Sequence, residues 1–161
     1  MPPSLRLRLA RQRGAEARPR PRKHSSLNRS QHSRGAEAPR GPRVSGTPGA
    51  QLDPRLAWDK ADIILVKKRY SAFFRTGLDE VLDRHGIGEL VLAGANTHAC
   101  VRTSAIDAYR RDLRVILASD CLSSYDEGHA ADSLRYIAGN IGRVLTNDEI
   151  RQHLSCRSSN V

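Results

Sequence analysis

From about residue 60 to the end of the chain, the apolar positions alternate between two spacings. The runs Ile63-Ile64-Leu65-Val66, Leu90-Val91-Leu92-Ala93 and Val115-Ile116-Leu117-Ala118 are short, continuous and bounded by charge or glycine, the pattern of strands buried on both faces. Between them the apolar residues return every three or four positions. Leu78, Val81 and Leu82 precede Gly86, which predicts a helix closed by a glycine C-cap. Val101, Ala105, Ala108 and Tyr109 predict a second helix from Cys100 to about Arg111, and Leu134 and Ile137 a third over about residues 129–141. A short strand at Val144-Leu145 and a last helix beginning at Thr146, with Asp148 and Glu149 in its first turn, complete the series. Strand and helix in strict alternation predict a three-layer α/β/α domain on a parallel sheet with right-handed crossovers. Ligands of such sheets bind beyond the carboxyl ends of the strands.

Composition divides the chain at about residue 50. Residues 1–50 hold 12 basic and 2 acidic residues and seven of the eight prolines, while the remaining 111 residues carry 15 charges of each sign. The whole formal charge of +10 therefore belongs to the first segment. With no apolar run able to build a core, residues 1–50 are expected to be disordered, and residues 51–161 to form the folded domain. The Arg-rich, acid-poor start fits a functionless leader, a targeting peptide interrupted by proline, or a tail that contacts nucleic acid or another polyanion. No aromatic residue lies among its arginines, so base stacking is unavailable there.

Cys100, Cys121 and Cys156 stand at unrelated spacings and give neither a disulfide framework nor a metal-ligand pair. A reducing, cytoplasmic setting is the expectation. No apolar stretch approaches the ~20 residues of a membrane span. His98 and His129 lack a third ligand, so no metal and no cofactor are expected.

Cys100 is the most telling single residue. It follows the second strand directly, at the start of a helix. Thiols react as thiolates, which helix N-termini and nearby cations favour, and Lys67-Lys68-Arg69 at the end of the first strand offers the cation. On position alone, Cys100 is either a nucleophile or a small core residue. Asn96 and Thr97 likewise have an ordinary reading as turn residues.

Several blocks then carry a resemblance. The segments Lys67-Lys68-Arg69-Tyr70-Ser71-Ala72-Phe73-Phe74-Arg75-Thr76, Leu90-Val91-Leu92-Ala93-Gly94, Thr97-His98-Ala99-Cys100-Val101 and Ala105-Ile106-Asp107-Ala108 resemble the isochorismatase-like cysteine hydrolases, and among them most the ureidoacrylate and biuret amidohydrolases. The resemblance covers roughly residues 58–150. It implies a hydrolase acting on amide or carbamoyl C–N bonds of small molecules through a Cys100 thioester, with Lys67 beside the thiol. It further implies a cis peptide between Ala95 and Asn96, an oxyanion hole from the backbone N–H groups of Asn96 and Cys100, substrate contacts from Tyr70, Phe74 and Thr97, and a homo-oligomer.

One part of the family pattern is not found. Relatives begin with a strand ending in a catalytic aspartate, and here that region is the Arg/Pro-rich segment. Asp62 opens the first strand at the end opposite Lys67, and four extended residues span about 13 Å. The chain is therefore expected to lack the family's N-terminal strand and to be impaired as an enzyme. The alternative is a non-catalytic remnant, or a polyanion-binding protein acting through its basic tail.

Overall fold

The computed structural model describes residues 7–11 and 61–158. The elements are β1 (Leu7–Arg11), β2 (Ile63–Lys67), α1 (Leu78–Arg84), β3 (Glu89–Ala95), a π-helical turn (Thr97–Val101) leading into α2 (Arg102–Tyr109), β4 (Arg114–Ser123), α3 (Glu127–Asn140), β5 (Arg143–Leu145) and α4 (Asn147–Ser158). All strand pairings among them are parallel. The α/β architecture is the one the alternating pattern predicts. The strands lie in two sheets, β1-β2 and β3-β4-β5.

The core explains why the long apolar run of β4 sits at the centre. Val115 and Leu117 point to one side, into a cluster with Phe73, Leu78, Leu82, Val101, Ala105, Ala108 and Ile137 from the 72–73 segment, α1, the π-helical turn, α2 and α3. Ile116 and Ala118 point to the other, where Leu145 and Ile150 bring in β5 and α4. Helices on both sides of β4 make the three layers. The residues of β2 and β3 differ from expectation: Ile64, Val66 and Val91 are exposed, so these strands are buried on one face, not two. Among the described residues, α4 covers the second face only over β4 and β5.

Gly86 has a φ of +60° and closes α1 as its position predicts. Its N–H donates to the Asp83 carbonyl at 3.1 Å, and Ile87 N–H reaches back to Leu82 O at 3.0 Å, the reciprocal pattern of a glycine-terminated helix. Helix α3 starts earlier than the apolar spacing indicates because Asp126 caps it, accepting the His129 N–H at 2.9 Å.

Within the basic segment, Leu7–Arg11 forms a strand in register with β2, Leu7 opposite Ile63 and Arg11 opposite Lys67. This departs from the expectation of disorder over residues 1–50. Parallel pairing uses main-chain groups, and so it needs no apolar run of the kind on which that expectation rested. Arg11 is followed by Gln12, so β1 does not end in the acidic residue the resemblance implies. The rest of the 1–50 segment lies outside the described residues. No described helix is long and apolar enough to cross a membrane.

Candidate active site

The site grows from two strand ends. Lys67 closes β2 and is only 6% exposed. Its Nζ donates to the carbonyls of Arg69 and Tyr70, both at 3.0 Å, so the chain leaving β2 folds back over its own lysine. Burial of an ammonium is costly unless its donors are satisfied, and here the turn supplies acceptors. The following residues are equally ordered. Ser71 Oγ accepts the Phe73 N–H at 3.1 Å, and Thr76 Oγ1 donates to Ala72 O at 2.5 Å. Arg111, two residues beyond α2, grips Asp79 with Nε at 2.6 Å and Nη2 at 3.0 Å and lies over the Phe73 ring at 4.4 Å. Its hydrogen bonds to Asp79 hold the guanidinium above its ordinary pKa.

The second strand end is β3. Its pairing with β4 shifts register between Leu92 and Gly94, where Gly94 takes a φ of +140°. Only glycine adopts that conformation freely, and such irregularities are common beside active sites. Asn96 then enters the left-handed region, with φ 64° and ψ 66°, as asparagine tolerates better than most residues. Its carbonyl accepts the N–H groups of Ala99 at 3.0 Å and Val101 at 3.4 Å, which winds the turn in π fashion. Cys100 lies in this turn, half-buried, at the carboxyl end of β3 and one residue short of being succeeded by α2 at Arg102. Such π-helical turns occur frequently at functional sites.

Three side chains fix this turn from either side. Thr97, 1% exposed, donates its hydroxyl to Ser123 O at 3.1 Å, and His98 Nδ1 meets Ser124 Oγ at 2.6 Å. Both ties run to the end of β4. On the opposite flank, Ser104 Oγ donates to the Cys100 carbonyl at 2.8 Å and accepts the Ala72 N–H at 3.0 Å. The cysteine turn and the lysine turn are thereby hydrogen-bonded to a common hydroxyl. Beyond Ser124, the His98 ring meets Tyr125 edge-on at 4.8 Å and lies 5.9 Å from the His129 ring. Asp126 engages His129 Nδ1 at 2.9 Å. The N–H of His129 and the nearby imidazoles favour the charged carboxylate, and hold Asp126 below its ordinary pKa. Among the described residues, no three His, Cys, Asp or Glu side chains gather as a metal would require.

The structure thus brings Cys100 and the segment after Lys67 together. Tyr70 and Phe74, on the segment that follows the lysine, are exposed. Two expectations are corrected. Every described peptide bond is trans, so the cis bond expected between Ala95 and Asn96 is absent, and the left-handed Asn96 makes the reversal instead. Thr97 is not a surface group open to substrate: it is buried, and its hydroxyl is committed to Ser123. Ser104 was not singled out from sequence. Its signal was available, because it follows Cys100 by four residues and so shares its helix face.

Comparison with known proteins supports the same framework. The isochorismatase domain matches residues 9–149. The chain is 36% identical over 111 residues to enterobactin synthase component B of Escherichia coli, covering 68% of this chain and 39% of that protein. It is 34% identical over 112 residues to maleamate amidohydrolase of Pseudomonas putida, covering 69% and 52%. It thus spans roughly two-fifths to half the length of these two relatives. Among solved structures, an isochorismatase-like hydrolase from Alkaliphilus metalliredigens superposes with a TM-score of 0.69 at 27% identity, over 92% of this chain and 70% of that one.

Proposed function

The chain belongs to the isochorismatase family, and from that membership we propose that it is a cysteine hydrolase acting on amide or carbamoyl C–N bonds of small molecules. The observation that carries this reading is the placement of Cys100. It sits half-buried in a π-helical turn at a strand's carboxyl end, tied through Ser104 to the segment that encloses Lys67. The similarity to an amidohydrolase supports the reaction class.

In the proposed reaction the Cys100 thiolate adds to the carbonyl carbon. The backbone N–H groups of Asn96 and Cys100 receive the developing oxyanion, a contribution of about 2.7–4 kcal/mol per donor in comparable sites. The C–N bond breaks as the nitrogen takes up the proton that the thiol gave up. The acyl or carbamoyl group remains as a thioester, and water then cleaves the C–S bond and restores the thiol. Lys67 supplies positive charge beside the thiolate, and Tyr70 and Phe74 offer apolar contact to the substrate.

Proton transfer is the weak step. The strand β1 ends at Arg11 with Gln12 directly after it, so the aspartate of the family pattern has no counterpart at that strand end. General acid–base catalysis contributes about 10²–10⁴-fold, and the thioester is expected to accumulate. Mass spectrometry after incubation with maleamate, nicotinamide, biuret and ureidoacrylate tests this. The expected result is an acyl or carbamoyl mass on the Cys100 peptide, absent in Cys100→Ser, with slow release of amine. No adduct and no amine release with any of them would remove the proposal. Fast turnover lost in Cys100→Ser would instead show that another residue carries the proton.

A further inference from the structure

We propose that Ser104 is a positioning residue whose hydroxyl sets the placement of Lys67 relative to the Cys100 thiol. The inference rests on the reading of Cys100 as the nucleophile. Hydrogen bonds and a short stretch of main chain link the Lys67 ammonium to the Cys100 carbonyl. Lys67 Nζ donates to Tyr70 O at 3.0 Å. Two residues on, the Ala72 N–H donates to Ser104 Oγ at 3.0 Å, and Ser104 Oγ donates to Cys100 O at 2.8 Å. The hydroxyl is thus acceptor on the lysine side and donor on the cysteine side, which uses its proton and one lone pair.

The residue type argues for a role beyond packing. Ser104 is 5% exposed in the first turn of α2, and the residue one turn on along its face, Ala108, is a fully buried alanine. Alanine is the better helix former, and a serine that bonds back to the carbonyl four residues earlier weakens and bends a helix. That carbonyl belongs to Cys100, in the stretch wound as a π turn. The bond to Ala72 crosses 32 residues of sequence. Without it, the segment that cages Lys67 has no tie to the cysteine turn through this hydroxyl, and the ammonium and the sulfur are free to drift apart. Proximity effects in such sites respond to displacements of about 1 Å.

The experiment follows alkylation of each cysteine by iodoacetamide on the full chain, read by mass spectrometry at neutral pH and in mild alkali. The variants are Ser104→Ala, Ser104→Thr, Lys67→Ala and the double variant Ser104→Ala/Lys67→Ala. Cys121, which is exposed, serves as the internal control for reagent and pH, and circular dichroism of each variant as the control for an intact fold. Ser104→Ala should slow Cys100 at neutral pH by about three- to tenfold while leaving its rate in alkali unchanged. Ser104→Thr keeps the hydroxyl and should stay within about twofold of the parent. In the Lys67→Ala background the Ser104→Ala effect should vanish, as coupled residues require. An unchanged neutral rate in Ser104→Ala overturns the proposal, and so does a full effect that persists without Lys67. If Ser104→Ala fails to fold, a Ser104→Thr rate as low as that of Lys67→Ala overturns it as well. A Cys100 rate that Lys67→Ala leaves unchanged overturns the proposal too, whereas the nucleophile reading falls only if no adduct forms on Cys100, so the two failures are distinguishable.

Discussion

The buried hydroxyl of Thr97 donates to the carbonyl of Ser123 at 3.1 Å, and this bond joins the turn that carries Cys100 to the last residue of β4. The two residues are 26 positions apart, so the bond is a tertiary tie. It lies at the end of the irregular stretch where Gly94 and Ala95 pair with Leu122 and Ser123.

Thr97→Val removes the hydroxyl while nearly keeping the shape, and leaves the Ser123 carbonyl without this donor. Ser123 itself is exposed, so the loss is the net worth of one hydrogen bond, about 0.5–1.5 kcal/mol. We expect a loss of stability in that range in urea unfolding, together with slower alkylation of Cys100 but not of Cys121 as the turn loosens. A variant as stable as the parent would mean that water replaces the threonine at Ser123.

Much of this framework was legible in sequence, for reasons that also set its limits. The strand runs at Ile63, Leu90 and Val115 and the helix stop at Gly86 are local signals, written in consecutive residues. The extension of β4 through the polar Asp120, Cys121 and Ser123 is not local, because pairing with Gly94 and Ala95 past a register shift makes it a strand. Likewise an apolar run such as Ile63-Ile64-Leu65-Val66 announces a strand but not what covers it, and Ile64 and Val66 prove exposed. In the site, Cys100 and Lys67 stood out because their chemistry is rare and their strand-end positions follow from alternation. Ser104 did not, since its partner Ala72 contributes a backbone N–H that carries no sequence signature.

Helix α4 opens with a reciprocal cap that makes its docking pH-dependent. The Thr146 N–H donates to Glu149 Oε2 at 2.7 Å, and the Glu149 N–H reaches Thr146 Oγ1 at 3.3 Å, the arrangement of a capping box. The bond from the Thr146 N–H, helped by the Thr146 hydroxyl, holds the Glu149 carboxyl below its ordinary 4.5. A depressed carboxylate stabilises the fold above its unfolded pKa and loses that contribution as pH falls through the folded value. Thermal unfolding should therefore place Glu149→Ala furthest below the parent near neutrality, with the gap closing as pH drops below about 4.5. Glu149→Gln, which caps without charge, should show a smaller and flatter difference. A gap for Glu149→Ala that stays constant into acid would assign the effect to packing around Ile150 instead.

Gly142 and Gly139 sit three residues apart and are expected to respond to alanine with opposite signs. Gly142 follows α3 and returns its N–H to Ile137 O at 2.9 Å. A Cβ added there would fall 2.9 Å from Val115 Cβ and closer still to the Val115 carbonyl oxygen. Val115 is 2% exposed in the central strand, with helices packed against it, so its backbone has no room to retreat. Overpacking of this kind costs about 1–3 kcal/mol. At Gly139, inside α3, an added Cβ would meet nothing within 4 Å. There the better helix propensity of alanine and its smaller loss of backbone entropy favour the variant by about 0.5–1 kcal/mol. Urea unfolding of the two single variants reads both effects against one parent. A neutral Gly142→Ala would mean that the α3 to β5 connection can lift off β4, and would place the packing of that layer under less constraint than the contact at Val115 implies.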